Sequence, residues 1–290
     1  MPTGRLLLGR RRFLGWSGTV AGGLVLGVPA LLAACGSDDE DPFVLVKRWD
    51  DTANGTGNVR LPLALASPKD MSLLATGPES LTGRVVDANG AVVGTFTAPR
   101  HDQDISIPYW PIQLSLAQAG IYTVFVDGGD DNGVAVQVFD PADVATPVHG
   151  RALPAFDTPT VDDPRGVNPV CTLTPTPCPF HEMTLTDALA SGKHVVYMVG
   201  TPAHCQFGTC APGLEFLVAA APTYADRAVF VHADVYTDDT AQTVAPAVSA
   251  LGLEYEPVIY VTDTSGVVTD RLDVVWDRPE LDDVLARNLT

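Results

Sequence analysis

A buried strand that runs into two closely spaced cysteines most constrains the fold of this chain. The run Val195–Val199 is apolar and β-branched, which predicts a buried strand. A Gly-Thr-Pro break follows, then Cys205 and Cys210, and then a helical stretch from about Leu214. A thiol between a strand end and a helix start faces unpaired backbone N–H groups, which favour its thiolate form. The sequence therefore places a redox-active cysteine at this junction.

The N-terminus predicts export and lipid anchoring. Four arginines (Arg5, Arg10, Arg11 and Arg12) and no acidic residue precede an apolar run over 13–34, which is typical of a signal peptide. Residues 10–14 resemble a twin-arginine signal, and residues 32–36 resemble a bacterial lipobox. We expect removal of residues 1–34 and lipidation of Cys35, with the body at the outer face of the cytoplasmic membrane. An uncleaved membrane anchor is the alternative, because the run is just long enough to span a bilayer.

The remaining cysteines are even in number. Five cysteines less Cys35 leave four, which indicates two disulfides in an oxidising compartment. Three connectivities are possible, and closeness in sequence favours Cys171–Cys178 and Cys205–Cys210. We predict the 171–178 bond to be a structural staple, with a second redox pair as the alternative.

The charge of the chain excludes one class of partner. Residues 35–290 carry 13 basic and 35 acidic residues, a net charge of −22 against −18 for the whole chain. Such a surface repels nucleic acid, so no nucleic-acid partner is expected.

Composition divides the mature chain into four segments. Residues 35–42 form an acidic linker, and residues 43–140 contain short β-rich runs separated by turn signals, which predicts an antiparallel sandwich. Residues 141–180 contain nine prolines and should form an extended connector. Residues 181–290 alternate helical and strand patterns.

One strand resembles a known β-sandwich family. Residues 119–126 resemble a strand near the end of many immunoglobulin-like extracellular domains. In that fold Tyr122 would be the corner tyrosine whose hydroxyl bonds to the backbone, and an ordinary core tyrosine is the alternative. The resemblance implies an all-β immunoglobulin-like N-terminal domain.

The C-terminal segment resembles a second family. The strand at 195–199, the cysteines after it, the pair Glu256-Pro257 and the turn at 263–266 are similar to the thioredoxin fold. The chain is also similar to exported bacterial thioredoxin-like proteins. The expected fold class is therefore an all-β immunoglobulin-like sandwich followed by an α/β thioredoxin-like domain.

This resemblance implies a membrane-tethered thiol–disulfide oxidoreductase. Cys205 would attack a disulfide as thiolate, Cys210 would resolve the mixed disulfide, and a cis Pro257 would position the substrate chain. The partners would be thiols or disulfides of other exported proteins, and neither cofactor nor metal is expected. Residues five apart on a regular helix lie too far apart for a disulfide, so 205–209 must form a loop with Gly208 as its hinge.

Two other functions remain open. A non-enzymatic surface lipoprotein would use both disulfides structurally and bind a partner through its β-sandwich. A copper-handling protein would bind the metal through Cys205, Cys210 and either His204 or His232. We interpret His181, a lone histidine in a loop, as structural.

Overall fold

The structure, a computed structural model, describes residues 43–48 and 54–290. The predicted signal peptide, Cys35 and the acidic linker lie outside the described residues. The described residues all fall in one compact unit. They contain twelve strands in three sheets and four α-helices, and none of the described helices is long and apolar enough to cross a membrane.

Two sheets build the N-terminal part of the described chain. Their strands are β1 (Val44–Lys47), β2 (Asn54–Gly55), β3 (Gly57–Ala66), β4 (Ser80–Val86), β5 (Val92–Pro99), β6 (Trp110–Leu116), β7 (Gly120–Val126) and β8 (Val134–Phe139). One sheet has the order β1-β3-β6 and the other β2-β8-β7-β4-β5, and only the β2–β8 pair is parallel. Buried positions alternate along β7 and β8, and a single apolar core draws side chains from both sheets. The predicted all-β part is compatible with this arrangement.

Tyr122 makes the hydrogen bond of a corner tyrosine. Its hydroxyl donates to the carbonyl oxygen of Gln118 at 2.7 Å, four residues upstream, while the ring is buried in the core. This bond favours the corner interpretation over that of an ordinary core tyrosine.

A third sheet builds the C-terminal part. Its strands are β9 (His194–Val199), β10 (Ala228–Ala233), β11 (Val258–Thr262) and β12 (Val268–Asp273), in the order β10-β9-β11-β12. The β10–β9 pair is parallel and the other two pairs are antiparallel. The helices are α1 (Leu185–Ala190), α2 (Cys210–Ala220), α3 (Pro246–Leu251) and α4 (Arg278–Asn288).

The predicted α/β thioredoxin-like fold class is wrong. Strands outnumber α-helices twelve to four in the described residues, and α1 and α3 are only six residues long. Helix α3 shows the physical reason. It begins only at Pro246, which fits the first helical position, and the Asp238 carboxylate accepts the Thr240 N–H in a turn before it. The alternating pattern over residues 181–290 therefore overstated the helical content.

The predicted buried strand at 195–199 is confirmed. Val195, Tyr197 and Val199 pack into one apolar cluster with α1 and α3, whereas Val196 and Met198 pack into a second cluster with α2 and α4. Both faces of β9 are thus covered by apolar side chains, which fixes the position at which the chain leaves the strand.

The start of α2 lies close to the chain that leads into α4. A Cβ atom at Gly213 would lie 2.7 Å from Cζ2 of Trp276, and the Trp276 indole N–H donates to the Gly213 carbonyl at 3.4 Å. Glycine is needed here because the indole ring occupies the space of a side chain.

A buried polar network joins β3 to α4. Arg60 donates to both carboxylate oxygens of Glu280, at 2.6 and 2.7 Å, and Tyr109 donates to the same carboxylate. Nearby, His101 Nδ1 lies 2.7 Å from Asp277, whose carboxylate also accepts the N–H of Glu280 and caps α4. These contacts hold the N-terminal sheets against the part of the chain that carries the cysteines.

Candidate functional site

The Cys205–Cys210 disulfide predicted from the sequence is present. The two Cα atoms lie 5.9 Å apart, within the ordinary range for a disulfide. Helix α2 begins only at Cys210, and Gly208 has a φ of +65°. The prediction that 205–209 form a loop hinged at Gly208 is confirmed. We call residues 200–209 the redox loop.

The two sulfurs of this pair have different environments. Cys205 is half-buried, whereas Cys210 is fully buried. The backbone N–H of Cys210, at the N-terminus of α2, donates to Sγ of Cys205 at 3.3 Å. An N–H donor at a helix N-terminus stabilises a thiolate. The accessible sulfur is therefore the one whose anion the backbone stabilises.

Glu256 is a functional candidate that the sequence analysis named only as the residue before Pro257. Its Oε2 accepts the backbone N–H of Thr201 at 2.6 Å and lies 3.7 Å from Sγ of Cys210. Burial raises the pKa of Glu256 from 4.5 to about 7, against the opposing effect of the Thr201 hydrogen bond. A carboxyl group with this pKa exchanges protons near neutral pH, and it stands beside the buried sulfur.

Pro257 follows Glu256 through a cis peptide bond, as expected from the sequence. The proline is buried, its carbonyl accepts the N–H of Val274 at 2.8 Å, and it packs closely against Gly200. Its role in positioning a substrate stays a prediction, as do the catalytic roles of Cys205 and Cys210.

A cavity of about 340 Å³ opens beside the redox loop. Its lining is largely apolar and aromatic and includes Phe207, Tyr236, Val244 and Leu253, with Glu256 at one side. Phe207 and Val244 are 38% and 51% exposed, which is high for apolar side chains. This arrangement can accommodate an apolar side chain of a polypeptide next to the disulfide.

The predicted structural disulfide between Cys171 and Cys178 is not formed. Both residues are buried free thiols. They lie instead with His181 and His232, and one ligand atom from each of the four residues lies within 4.8 Å of all the others. We call this group the Cys2His2 cluster. The cluster could not be predicted from local spacing, because His232 lies far from the other three residues in the sequence.

The contacts inside the Cys2His2 cluster are short. Sγ of Cys178 lies 3.3 Å from Nε2 of His181 and 3.5 Å from Nδ1 of His232. Sγ of Cys171 lies 3.8 Å from Nδ1 of His232, and the two histidine nitrogens are 3.1 Å apart. The hydrogen bond with Cys178 lowers the pKa of Cys171 against the opposing effect of burial. The group is thus a compact set of two sulfurs and two nitrogens.

Hydrogen bonds connect the Cys2His2 cluster to the redox loop. His232 Nε2 lies 2.9 Å from the carbonyl oxygen of Gly200. Thr172, next to Cys171, donates from its backbone and its hydroxyl to Asp234, and the same hydroxyl accepts the N–H of Ala203 at 3.2 Å. The two cysteine pairs therefore share one continuous polar framework.

The structure groups His232 with Cys171 and Cys178, not with Cys205 and Cys210. His204 instead packs edge-on against the Tyr236 ring, with centroids 5.9 Å apart. The copper ligand set considered from the sequence is therefore not the one that the fold brings together.

No protein-family model matches the chain, and no curated protein is significantly similar to it. The function must therefore be argued from the geometry of the site.

Proposed function

We propose that this protein is an extracytoplasmic thiol–disulfide oxidoreductase, tethered to the membrane through lipidated Cys35. The single observation that carries the proposal is the asymmetric environment of the Cys205–Cys210 disulfide. The half-buried sulfur accepts an N–H at a helix N-terminus, and the buried sulfur lies 3.7 Å from a carboxyl group whose pKa is raised to about 7. A purely structural disulfide requires neither feature.

The reaction starts from the reduced pair. The Cys205 thiolate attacks one sulfur of a substrate disulfide, the substrate S–S bond breaks, and the leaving sulfur departs as a thiolate that takes a proton from solvent. The product of this step is a mixed disulfide between Cys205 and the substrate. The N–H of Cys210 stabilises the attacking thiolate before the bond forms.

Glu256 then serves the second step. Its carboxylate accepts the proton of Cys210, and the resulting thiolate attacks the sulfur of Cys205. The mixed disulfide breaks, the substrate leaves with its second sulfur reduced, and the Cys205–Cys210 disulfide forms. Two electrons have passed from the protein to the substrate, and the reverse sequence oxidises a substrate dithiol.

Redox titration of the full chain tests the proposal. The protein is equilibrated in graded glutathione buffers, and its alkylated cysteines are mapped by mass spectrometry. We expect the Cys205–Cys210 pair to titrate reversibly in the folded protein above about −270 mV. Resistance of this disulfide to reduction until the protein unfolds would refute the proposal.

Two matched variants test the assignment of roles. Cys210→Ser should accumulate a mixed disulfide with an oxidised model peptide, because Cys205 can attack but nothing resolves the product. Cys205→Ser should accumulate none, because the remaining thiol of Cys210 is buried. Equal trapping by the two variants would contradict the assignment.

A further inference from the structure

We infer that Cys171, Cys178, His181 and His232 form a closed, tetrahedral Zn²⁺ site. This site is distinct from the Cys205–Cys210 disulfide and does not depend on the proposed redox function. Four side chains supply one ligand atom each, which is the number that a structural zinc site requires.

The spacing of the ligand atoms fits a zinc ion. Zn–S bonds of about 2.3 Å and Zn–N bonds of about 2.0–2.1 Å place neighbouring ligands of a tetrahedron roughly 3.3–3.8 Å apart. The nitrogen–nitrogen distance between His181 and His232 is 3.1 Å, and three of the four sulfur–nitrogen distances are 3.3, 3.5 and 3.8 Å. Four of the six distances among these atoms therefore lie close to those that the ion would impose, and all six are within 4.8 Å.

The charge and burial of the Cys2His2 cluster also fit zinc. The four side chains are between 0% and 6% exposed. Two thiolates and two neutral imidazoles balance the two positive charges of the ion, so the occupied site carries no net charge into the interior. Four protein ligands leave no open coordination position, which is characteristic of a structural rather than a catalytic zinc.

The orientation of His232 supports ligation through Nδ1. Its Nε2 lies 2.9 Å from the carbonyl oxygen of Gly200, which can only accept, so this nitrogen carries the proton. Nδ1 therefore presents its lone pair to the two sulfurs. A backbone carbonyl that fixes the tautomer of a histidine in this way is a regular companion of metal ligation.

The free thiols provide an independent reason for a metal. Two thiols in close contact with the same imidazole would oxidise to a disulfide in the oxidising compartment that the N-terminal sequence predicts for this chain. Coordination to Zn²⁺, which has no redox chemistry of its own, would keep both cysteines as thiolates. The same ion would join Cys171 and Cys178 of the connector to His232 in β10. Through the bond between His232 and Gly200, it would also hold the start of the redox loop.

Metal analysis of the full chain tests the inference. The protein is produced with zinc in the medium, and its metal content is measured by inductively coupled plasma mass spectrometry. We expect one zinc per chain. Cys178→Ser and His181→Gln should each lower zinc affinity at least ~10-fold. His149→Gln, an exposed histidine outside the cluster, and Cys210→Ser should keep one zinc per chain.

Cobalt substitution of the unmutated chain gives a readout that does not depend on the folding of a variant. Co²⁺ in this site should show the intense visible bands of tetrahedral coordination together with a thiolate charge-transfer band in the near ultraviolet. Zinc should then displace it and abolish both bands.

Three results would overturn the inference. The first is a folded chain in which mass mapping finds a Cys171–Cys178 disulfide and no zinc. The second is full zinc content in both ligand variants. The third is a purified chain that holds copper which excess zinc does not displace.

Discussion

Replacing Glu256 with glutamine should stabilise the folded protein at neutral and alkaline pH. Burial raises the pKa of this carboxyl from 4.5 to about 7, so the fold disfavours its ionised form. The stabilising contribution of the protonated form is complete below a pH of about 4.5 and is lost as the pH rises to about 7. One pKa unit corresponds to about 1.36 kcal/mol, so the ionised carboxylate destabilises the fold by about 3 kcal/mol. Glutamine removes this effect and keeps an oxygen to accept the Thr201 N–H.

Urea unfolding at two pH values measures this effect. The full chain and Glu256→Gln are unfolded with the disulfide intact and with equal metal content, at about pH 5 and about pH 8. We expect the free energy of unfolding of the variant to exceed that of the unmutated protein by about 2–3 kcal/mol at the higher pH and by much less at the lower pH. Glu254→Gln is the matched control, because Glu254 is exposed and lines the same cavity. It should change the free energy of unfolding by less than about 0.5 kcal/mol.

The same substitution should slow the redox cycle. Without a base beside Cys210, breakdown of the mixed disulfide should slow by roughly 10²-fold, and its rate should lose the dependence on pH near 7. Rapid acid quenching and mass spectrometry follow the mixed disulfide directly. Two results would contradict this reasoning. If Glu256→Gln is no more stable at high pH, the ionised carboxylate does not destabilise the fold. If it resolves the mixed disulfide at the original rate, Glu256 is not the base for Cys210.

Three further predictions concern the framework of the site. The hydrogen bond and charge of Asp277 outweigh burial and raise the pKa of His101 above 6.5, so stability that is complete below about pH 6.5 should decline as the pH rises through that higher pKa. His101→Gln should remove this decline from the pH dependence of the melting temperature. Arg60→Met leaves the Glu280 carboxylate buried without its cationic partner and should lower the free energy of unfolding by about 3–5 kcal/mol. Replacing both Arg60 and Glu280 with methionine should recover most of this loss. Gly213→Ala forces a methyl group against the indole ring packed there and should lower the free energy of unfolding by about 1–3 kcal/mol in urea titrations.

Local signals in the sequence were sufficient to predict the redox loop. The apolar run before Cys205 predicted a buried strand, and helix geometry required a loop between the two cysteines with Gly208 at its hinge. Both features depend on residues within a few positions of one another, so the steric rules of the backbone determine them. Local signals also overstated the helical content. A helical pattern in the sequence does not show where tertiary contacts and prolines shorten the helix.

The Cys2His2 cluster could not be predicted from local spacing. Cys171, Cys178 and His181 lie within eleven residues, and their spacing was the one available signal. The fourth member, His232, lies about fifty residues later and arrives through the parallel pairing of β10 with β9, where it stands opposite Met198. Pairing by closeness in sequence favoured a disulfide because it counted cysteines and not the histidines that a sheet would bring to them.

The two cysteine pairs acquire opposite chemistry from their surroundings rather than from their spacing. Cys205 and Cys210 have an N–H donor and a carboxyl group beside them, which in the proposed reaction would lower the barrier to thiolate exchange. Cys171 and Cys178 have two imidazoles beside them, and in the inferred zinc site the metal would remove both sulfurs from exchange. Gly200 links the two cysteine pairs. It is the first residue of the redox loop, and its carbonyl oxygen orients His232. A zinc ion at Cys171 and Cys178 would therefore confine electron transfer to Cys205 and Cys210. It would also hold fixed the backbone from which Cys205 reaches its substrate.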